Sequence, residues 1–239
     1  MGVAAESADR RPARYGREVK TLAHARSEFA HKRSPWMIVA AIAIAAIWRA
    51  TLGPPGWQDA VAVAASLVIY PFGEWAIHVY LLHMKPIKIR GRRIDPPAAR
   101  SHRAHHGEPT DLSMILLEPK EVAQLLLLAV PVSVAIIGLV FWLLAGSVPL
   151  APLLTAAITD YALILCYEWT HFLIHTAYRP RSGFYKSAWR NHRLHHFKNE
   201  HFWHGVTNNV SDRVLGTNPE QSTVRRSRTA RTLDPGSAV

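Results

Sequence analysis

Thiol chemistry is almost absent from this chain. Its one cysteine, Cys166, can form neither an intrachain disulfide nor a thiolate metal cage, and it is expected to pack as a small apolar residue. A cleavable leader is not expected either: the first apolar run begins as late as Trp36 and has no small-residue exit site, so it reads as a permanent span. Lys and Arg are missing from two short connectors, residues 53–59 and 146–147. No stretch of the chain reads as a linker between two soluble domains.

Apolar residues are plentiful but unevenly spread. They make up 49% of the chain and concentrate in residues 36–52, 60–82, 122–145 and 148–174. Three of these runs reach the roughly 20 residues that cross a bilayer, and the first is a little shorter. The expected fold is therefore all-α: an integral membrane protein with four transmembrane helices in two hairpins and a helical cap. Of the 28 Lys and Arg, eight precede the first run, eight lie between Lys85 and Lys120, and eleven follow His175. The positive-inside rule then puts both termini and the central connector in the cytoplasm and the two uncharged connectors outside. Arg49, alone inside an apolar run, is expected to snorkel outward. Topology accounts for the net charge of +11 without a nucleic-acid partner, since the basic residues interleave with histidines rather than with stacking aromatics. The excess of Arg over Lys and the many alanines suit a bacterial plasma membrane, with the endoplasmic reticulum as the eukaryotic counterpart. Residues 1–34 are expected to be a basic cytoplasmic arm, 35–217 the membrane-embedded domain, and 218–239 a disordered tail.

Ten of the 14 histidines fall in four windows. Glu74-Trp75 precedes His78 and His83, and His102, His105 and His106 follow; then Glu168-Trp169 precedes His171 and His175, and His192, His195 and His196 follow. The two sets lie 94 residues apart at the glutamates and 90 at the first His of each triplet, so the chain reads as two copies of one unit. On a helix, His171 and His175 share a face, and each His-x2-His-His triplet is expected to aim three imidazoles at one place. His78 and His83 are five apart, about 140° on a regular helix, so they converge only if the helix distorts; Pro71, Gly73 and Pro86 offer reasons for distortion. Ten nitrogen ligands exceed one structural zinc site and suit two ions with open positions. Zn, Fe, Cu and Ni all remain open on ligand softness. Glu74 and Glu168 are expected to accept hydrogen bonds from the distal nitrogens of His78 and His171. Asp160, about 16 Å along a helix from His171, reads as a structural polar group. His201 and His204 read either as supports behind the ligands or, the favoured reading, as loop residues; His24 and His31 read as surface, and Trp36, Trp57, Trp75, Tyr80 and Trp169 as interfacial aromatics.

His-x4-His, His-x2-His-His, His-x3-His and His-x2-His-His, in this order around two hairpins, resemble the fatty acid hydroxylase and sterol desaturase superfamily. Within it the pattern is most similar to the fatty acid 2-hydroxylases over residues 60–217, including Gly205-Val206-Thr207 and the segment from Asp212 to Thr217. The resemblance implies a cytosolic centre of two iron ions, O2 as co-substrate and hydroxylation of a fatty-acyl or lipid chain. Zinc readily occupies imidazole sites in purified protein. The His-Pro-Gly-Gly haem motif of relatives with a fused cytochrome b5 is missing, as is a Gly-x-Gly-x-x-Gly loop, so an external donor of cytochrome b5 or ferredoxin type is expected to supply electrons. A sterol or carotenoid hydroxylase or desaturase would use the same centre. A metal transporter or sensor would instead place ionisable ligands near the midplane, where this sequence has Ala, Val, Ile and Leu.

Overall fold

Turn chemistry divides the apolar runs into helices. In a computed structural model that describes residues 13–233, α1 spans Leu22–Ala30 and α2 Arg33–Ala50. The chain then turns at Gly53, whose φ of +94° suits only glycine, and Asp59 accepts from the Gly56 N–H to start α3, Trp57–Ala76. Pro71 sits within α3 without ending it. A short hairpin follows, β1 Ile87–Ile89 against β2 Arg92–Ile94, turning through Arg90 and Gly91, both at positive φ. Helix α4 is Pro97–Gly107. Helices α5, Pro119–Gln124, and α6, Val130–Ala145, join through a π turn at Leu125–Ala129 into one rod, which Gly146 ends in the left-handed region. Helix α7 is Leu150–Ile174, α8 Gly183–Phe197 and α9 Val210–Val214.

Four of these rods are long and apolar enough to cross a membrane: Arg33–Ala50, Trp57–Leu82, Pro119–Ala145 and Leu150–Ile174. Helix α7 is the central one and packs on α2, α3 and α6. Ile38, Val122, Leu126, Val130 and Ile164 fill one part of the bundle, and Ala62, Ile137, Phe141 and Ala156 another. Leu127, Leu128, Leu143 and Leu144 face outward, as a lipid-exposed surface requires. Arg49 does not snorkel. It is buried, and its Nε and Nη2 each donate at 2.9 Å to Asp59, with a further 3.0 Å bond to Thr155. A guanidinium at that depth is held by a facing carboxylate on α3, a partner the expectation of an isolated arginine left out.

Both flanking segments pack where they are described. Residues 13–32 lie against the cap: Val19 and Ala25 are buried, and Phe29 packs its ring 5.2 Å from Trp169. Gly16 accepts from Ala177 N–H at 2.8 Å, and a Cβ there would stand 1.9 Å from the carbonyl oxygen of His175, so only glycine allows this approach. The tail expected to be disordered is instead folded onto the cap as far as Leu233. Ser227 and Thr229 hydroxyls donate to Glu200, and Ala230 and Leu233 are buried. Its polar composition concealed this, because its anchors are hydrogen bonds rather than an apolar stripe. The remaining parts of the expected arm and tail, residues 1–12 and 234–239, lie outside the described residues.

Candidate metal centre

At its C-terminal end α3 changes pitch. Ile77–Leu82 is a π turn, and the His83 N–H donates to the His78 carbonyl at 3.1 Å, an i→i+5 bond. The wider turn brings the two five-spaced imidazoles within 4.8 Å of each other, centroid to centroid. This is the distortion that the spacing demanded, and it needs no helix break at Pro71. His171 and His175 meet by ordinary i, i+4 spacing at the end of α7, centroids also 4.8 Å apart.

All ten histidines of the four windows come together, but the partition differs from the expected one. One group is His78, His83, His102, His106 and His195; the other is His105, His171, His175, His192 and His196. Within each group the ligand atoms lie within 4.8 Å of one another. The triplets do not aim three rings at one place. On α4, His102 and His106 join their own unit while His105 crosses to the other, and on α8 His195 crosses in return. Geometry explains the split: i+4 lies about 40° from i, whereas i+3 lies about 60° away on the opposite side. Each helix thus stands between the two groups, which touch at His106 and His196, centroids 4.1 Å apart.

Five of the ten rings have their outer nitrogen tied down, whereas His192 Nδ1 and His196 Nδ1 are buried without a partner. His78 Nδ1 donates to the His204 carbonyl at 2.6 Å, His106 Nδ1 to Ala230 at 2.8 Å, and His195 Nδ1 to Phe202 at 2.8 Å. His175 is similarly bonded to the Pro109 backbone, and His171 to Ile115. An imidazole that donates through Nδ1 in its neutral form presents a bare lone pair at Nε2. Yet the Nε2 of His78 and of His106 stand 3.2 and 3.1 Å from that of His102, and the His195 and His83 Nε2 atoms are 3.1 Å apart. His175, His192 and His196 repeat this with contacts of 3.0 Å. Such crowded lone pairs exceed what one shared proton can satisfy. His105 is buried with neither ring nitrogen bonded. These donors fit a cation in each group. Burial, with neighbouring imidazoles, holds His83, His102, His105, His175, His192, His195 and His196 below the ordinary histidine range, and burial pushes His106 to about 4. All are therefore neutral at pH 7, the form that ligates.

Glu74 and Glu168 do not touch the imidazoles as expected. Glu74 accepts from the N–H of Val206 and Thr207 and from the Thr207 hydroxyl, while Glu168 accepts from the Ser34 hydroxyl and the Leu117 N–H. The reason is position: the His78 and His171 distal nitrogens are already taken by carbonyls, leaving the carboxylates to anchor loops. Asp212 completes the loop under His78, accepting from His204 N–H, Gly205 N–H and the Thr217 hydroxyl, and its pKa is lowered: burial opposes this, but these hydrogen bonds prevail. Gly205 is obligatory there, since a Cβ would stand 1.9 Å from the Asn208 carbonyl oxygen. His204, read as a loop residue, is buried against the first group, its ring 5.3 Å from His195. Its carbonyl carried no residue-type signal. His24 lies at the cap surface beside Glu28, and His31 bonds Ser27, both away from the groups.

A cavity of about 460 Å³ reaches from His78 and Glu74 into the bundle, lined by Ile77, Leu81, Leu125, Leu128, Ile164 and Tyr167 and, deeper, by Ser133 and Asp160. Fold and site together define a membrane-type four-helix protein whose cap holds two neighbouring histidine groups able to bind metal. A sequence profile of the fatty acid hydroxylases matches residues 63–217, and the chain belongs to the fatty acid hydroxylase family. It is similar to two dihydroceramide fatty acyl 2-hydroxylases of Arabidopsis thaliana, FAH1 and FAH2, each 25% identical over 69% and 68% of this chain. The matches span 63% and 62% of those relatives' length. Among solved structures it is similar to the hydroxylase domain of full-length Scs7p, with a TM-score of 0.57 at 20% identity, over 80% of this chain and 66% of that one; this likeness concerns the fold.

Proposed function

We propose that this protein is a membrane-bound di-iron monooxygenase that hydroxylates an acyl chain of a fatty acid or lipid, using O2 and electrons from a separate cytochrome b5 or ferredoxin type donor. The observation that carries the reading is the apolar cavity opening onto His78, within one of two adjoining five-histidine groups. A hydrocarbon chain drawn from the bilayer would reach the ligands without crossing water. Two bound irons would supply the activation of O2 needed to oxidise a C–H bond. The protein's own part is positioning: the ten imidazoles hold the ions, the carbonyls of His204, Phe202 and Ala230 fix ring orientation, and the cavity wall excludes water from the chain. Family membership and the similarity to dihydroceramide fatty acyl 2-hydroxylases support lipid hydroxylation. The positive-inside distribution supports a cytoplasmic site, in a plasma membrane if the source is bacterial. Exposed Lys85, Lys88, Arg90, Arg179, Arg181 and Lys186 would attract an acidic donor.

The decisive experiment expresses the protein with such a donor and compares the lipids of those cells with the lipids of cells lacking it. A lipid gaining one oxygen, with about two irons per purified chain, is the expected result. A lipid losing two hydrogens instead would make the protein a desaturase, and an unchanged lipid profile with iron bound would refute the assignment.

A further inference from the structure

The buried acid at the inner end of the cavity has no part in the chemistry above. Asp160 is 4% exposed, lies on α7 and lines the same cavity as His78. Ser66 and Ser133 lie beside its carboxyl, the Ser66 hydroxyl donating to the Ala156 carbonyl, and Oδ2 has no hydrogen-bond partner. Three of the four other buried carboxylates of the spanning rods behave differently; the fourth, Glu121 at the start of its rod, accepts from the Glu118 N–H through one oxygen. Asp59, Glu74 and Glu168 each engage both oxygens with the protein. A purely structural carboxyl at this depth would be expected to do the same, since an unpaired polar atom away from water is costly. An unsubstituted alkyl tail would leave Oδ2 unmatched and place methylenes against it.

We propose that Asp160 accepts a hydrogen bond from a hydroxyl on the far part of the lipid chain, so that the substrate is an acyl chain already oxygenated at its distal end. The inference rests on the acyl-hydroxylase reading and narrows its substrate class. Asp160 stands eleven residues before His171, about 16 Å at the helical rise. That is roughly a dozen extended methylenes at C–C bonds of about 1.5 Å, so the hydroxyl would sit roughly that far from the oxidised carbon. Ser66 and Ser133 flank the carboxyl, and its Oδ2 is left to the ligand. A pocket built around a hydrogen bond discriminates strongly against a ligand that lacks it, because the buried group is then left unpaired.

Binding without turnover tests this. Full-length protein in nanodiscs, without an electron donor, would be titrated with plain fatty acids and with their ω-hydroxy counterparts of about 12 to 18 carbons, read by displacement of a fluorescent acyl probe. The wild type should prefer one ω-hydroxy length by about tenfold over the plain acid of that length. Asp160→Leu should bind the plain acid and lose the preference, while Asp160→Asn, which keeps an acceptor, should retain part of it. Equal affinity for both series at every length, a preference that survives in Asp160→Leu, or no binding of either series would overturn the assignment. The cellular lipid comparison is scored separately. Oxygenated product together with equal affinities would sink the role of Asp160 alone, whereas a tenfold preference with no oxygenated product would sink the hydroxylase reading alone.

Discussion

At the scale of the residue, the decisive atoms are the nitrogens that point away from the centre. Residue type made ten histidines legible in the sequence, and their spacing suggested two units, but not that His105 and His195 change places between them. The carbonyls of His204, Phe202 and Ala230 were not legible, because every residue carries a carbonyl and only the fold selects these three. Asp212→Ala should therefore act at a distance. It frees the His204–Gly205 amides, loosens the carbonyl that holds His78, and should weaken metal binding by about 10–100-fold without removing a ligand, measured by competition with a chelator. His105→Ala and His195→Ala should each deplete the group served by the opposite helix and stop lipid oxygenation, while His24→Ala and His31→Ala leave metal content unchanged. Metal and product measured on the same samples check this. Acid should act through the same rings. His106 is neutral down to about 4 in the fold, whereas an unfolded histidine takes a proton near 6.5. Between those values the unfolded chain binds protons that the folded chain does not, so stability is full above 6.5 and falls as pH drops toward 4. A melting temperature of chelator-treated protein that stays constant from pH 7.5 to 5 would contradict this.

At the scale of the element, one extra residue distinguishes the two units. His171 and His175 sit four apart on regular helix, and His78 and His83 sit five apart across a π turn. The sequence announced that the helix had to distort, but not how, since Pro71 and Gly73 offered a louder signal and α3 passes through both. Deleting Tyr80, which is exposed, would restore four-residue spacing, and an α-helical turn should keep both imidazoles on one face and retain metal. Inserting an alanine after Tyr80 puts them six apart, about 120° from one another on a regular helix and one residue beyond what the π turn absorbs, and should abolish metal in the first group. Metal-to-protein ratios of the two variants should differ sharply.

At the scale of the whole molecule, the long apolar helices were plain from composition because a bilayer leaves few other ways to satisfy a backbone. The packing of residues 218–233 was not plain, because no apolar period marks it. Ending the chain at Thr217 removes the Ala230 carbonyl from His106 and the hydroxyls of Ser227 and Thr229 from Glu200, so metal retention in the first group should drop. Cysteine labels at Gly56 and Ser147 should react from outside intact cells, and labels at Arg92 and Ser222 should not; labelling of Arg92 from outside would remove the proposed cytoplasmic site. The exchange of His105 for His195 reaches further. The first unit keeps four ligands and lends its fifth, and the second does the same, so the debt is mutual and equal. A lone unit meeting its own twin about a two-fold axis along the membrane normal would complete both sets by that same reciprocal loan. The single chain carries two ligand sets that each complete the other. Its two halves, produced as separate polypeptides, should clasp each other when metal is supplied and part when it is stripped away.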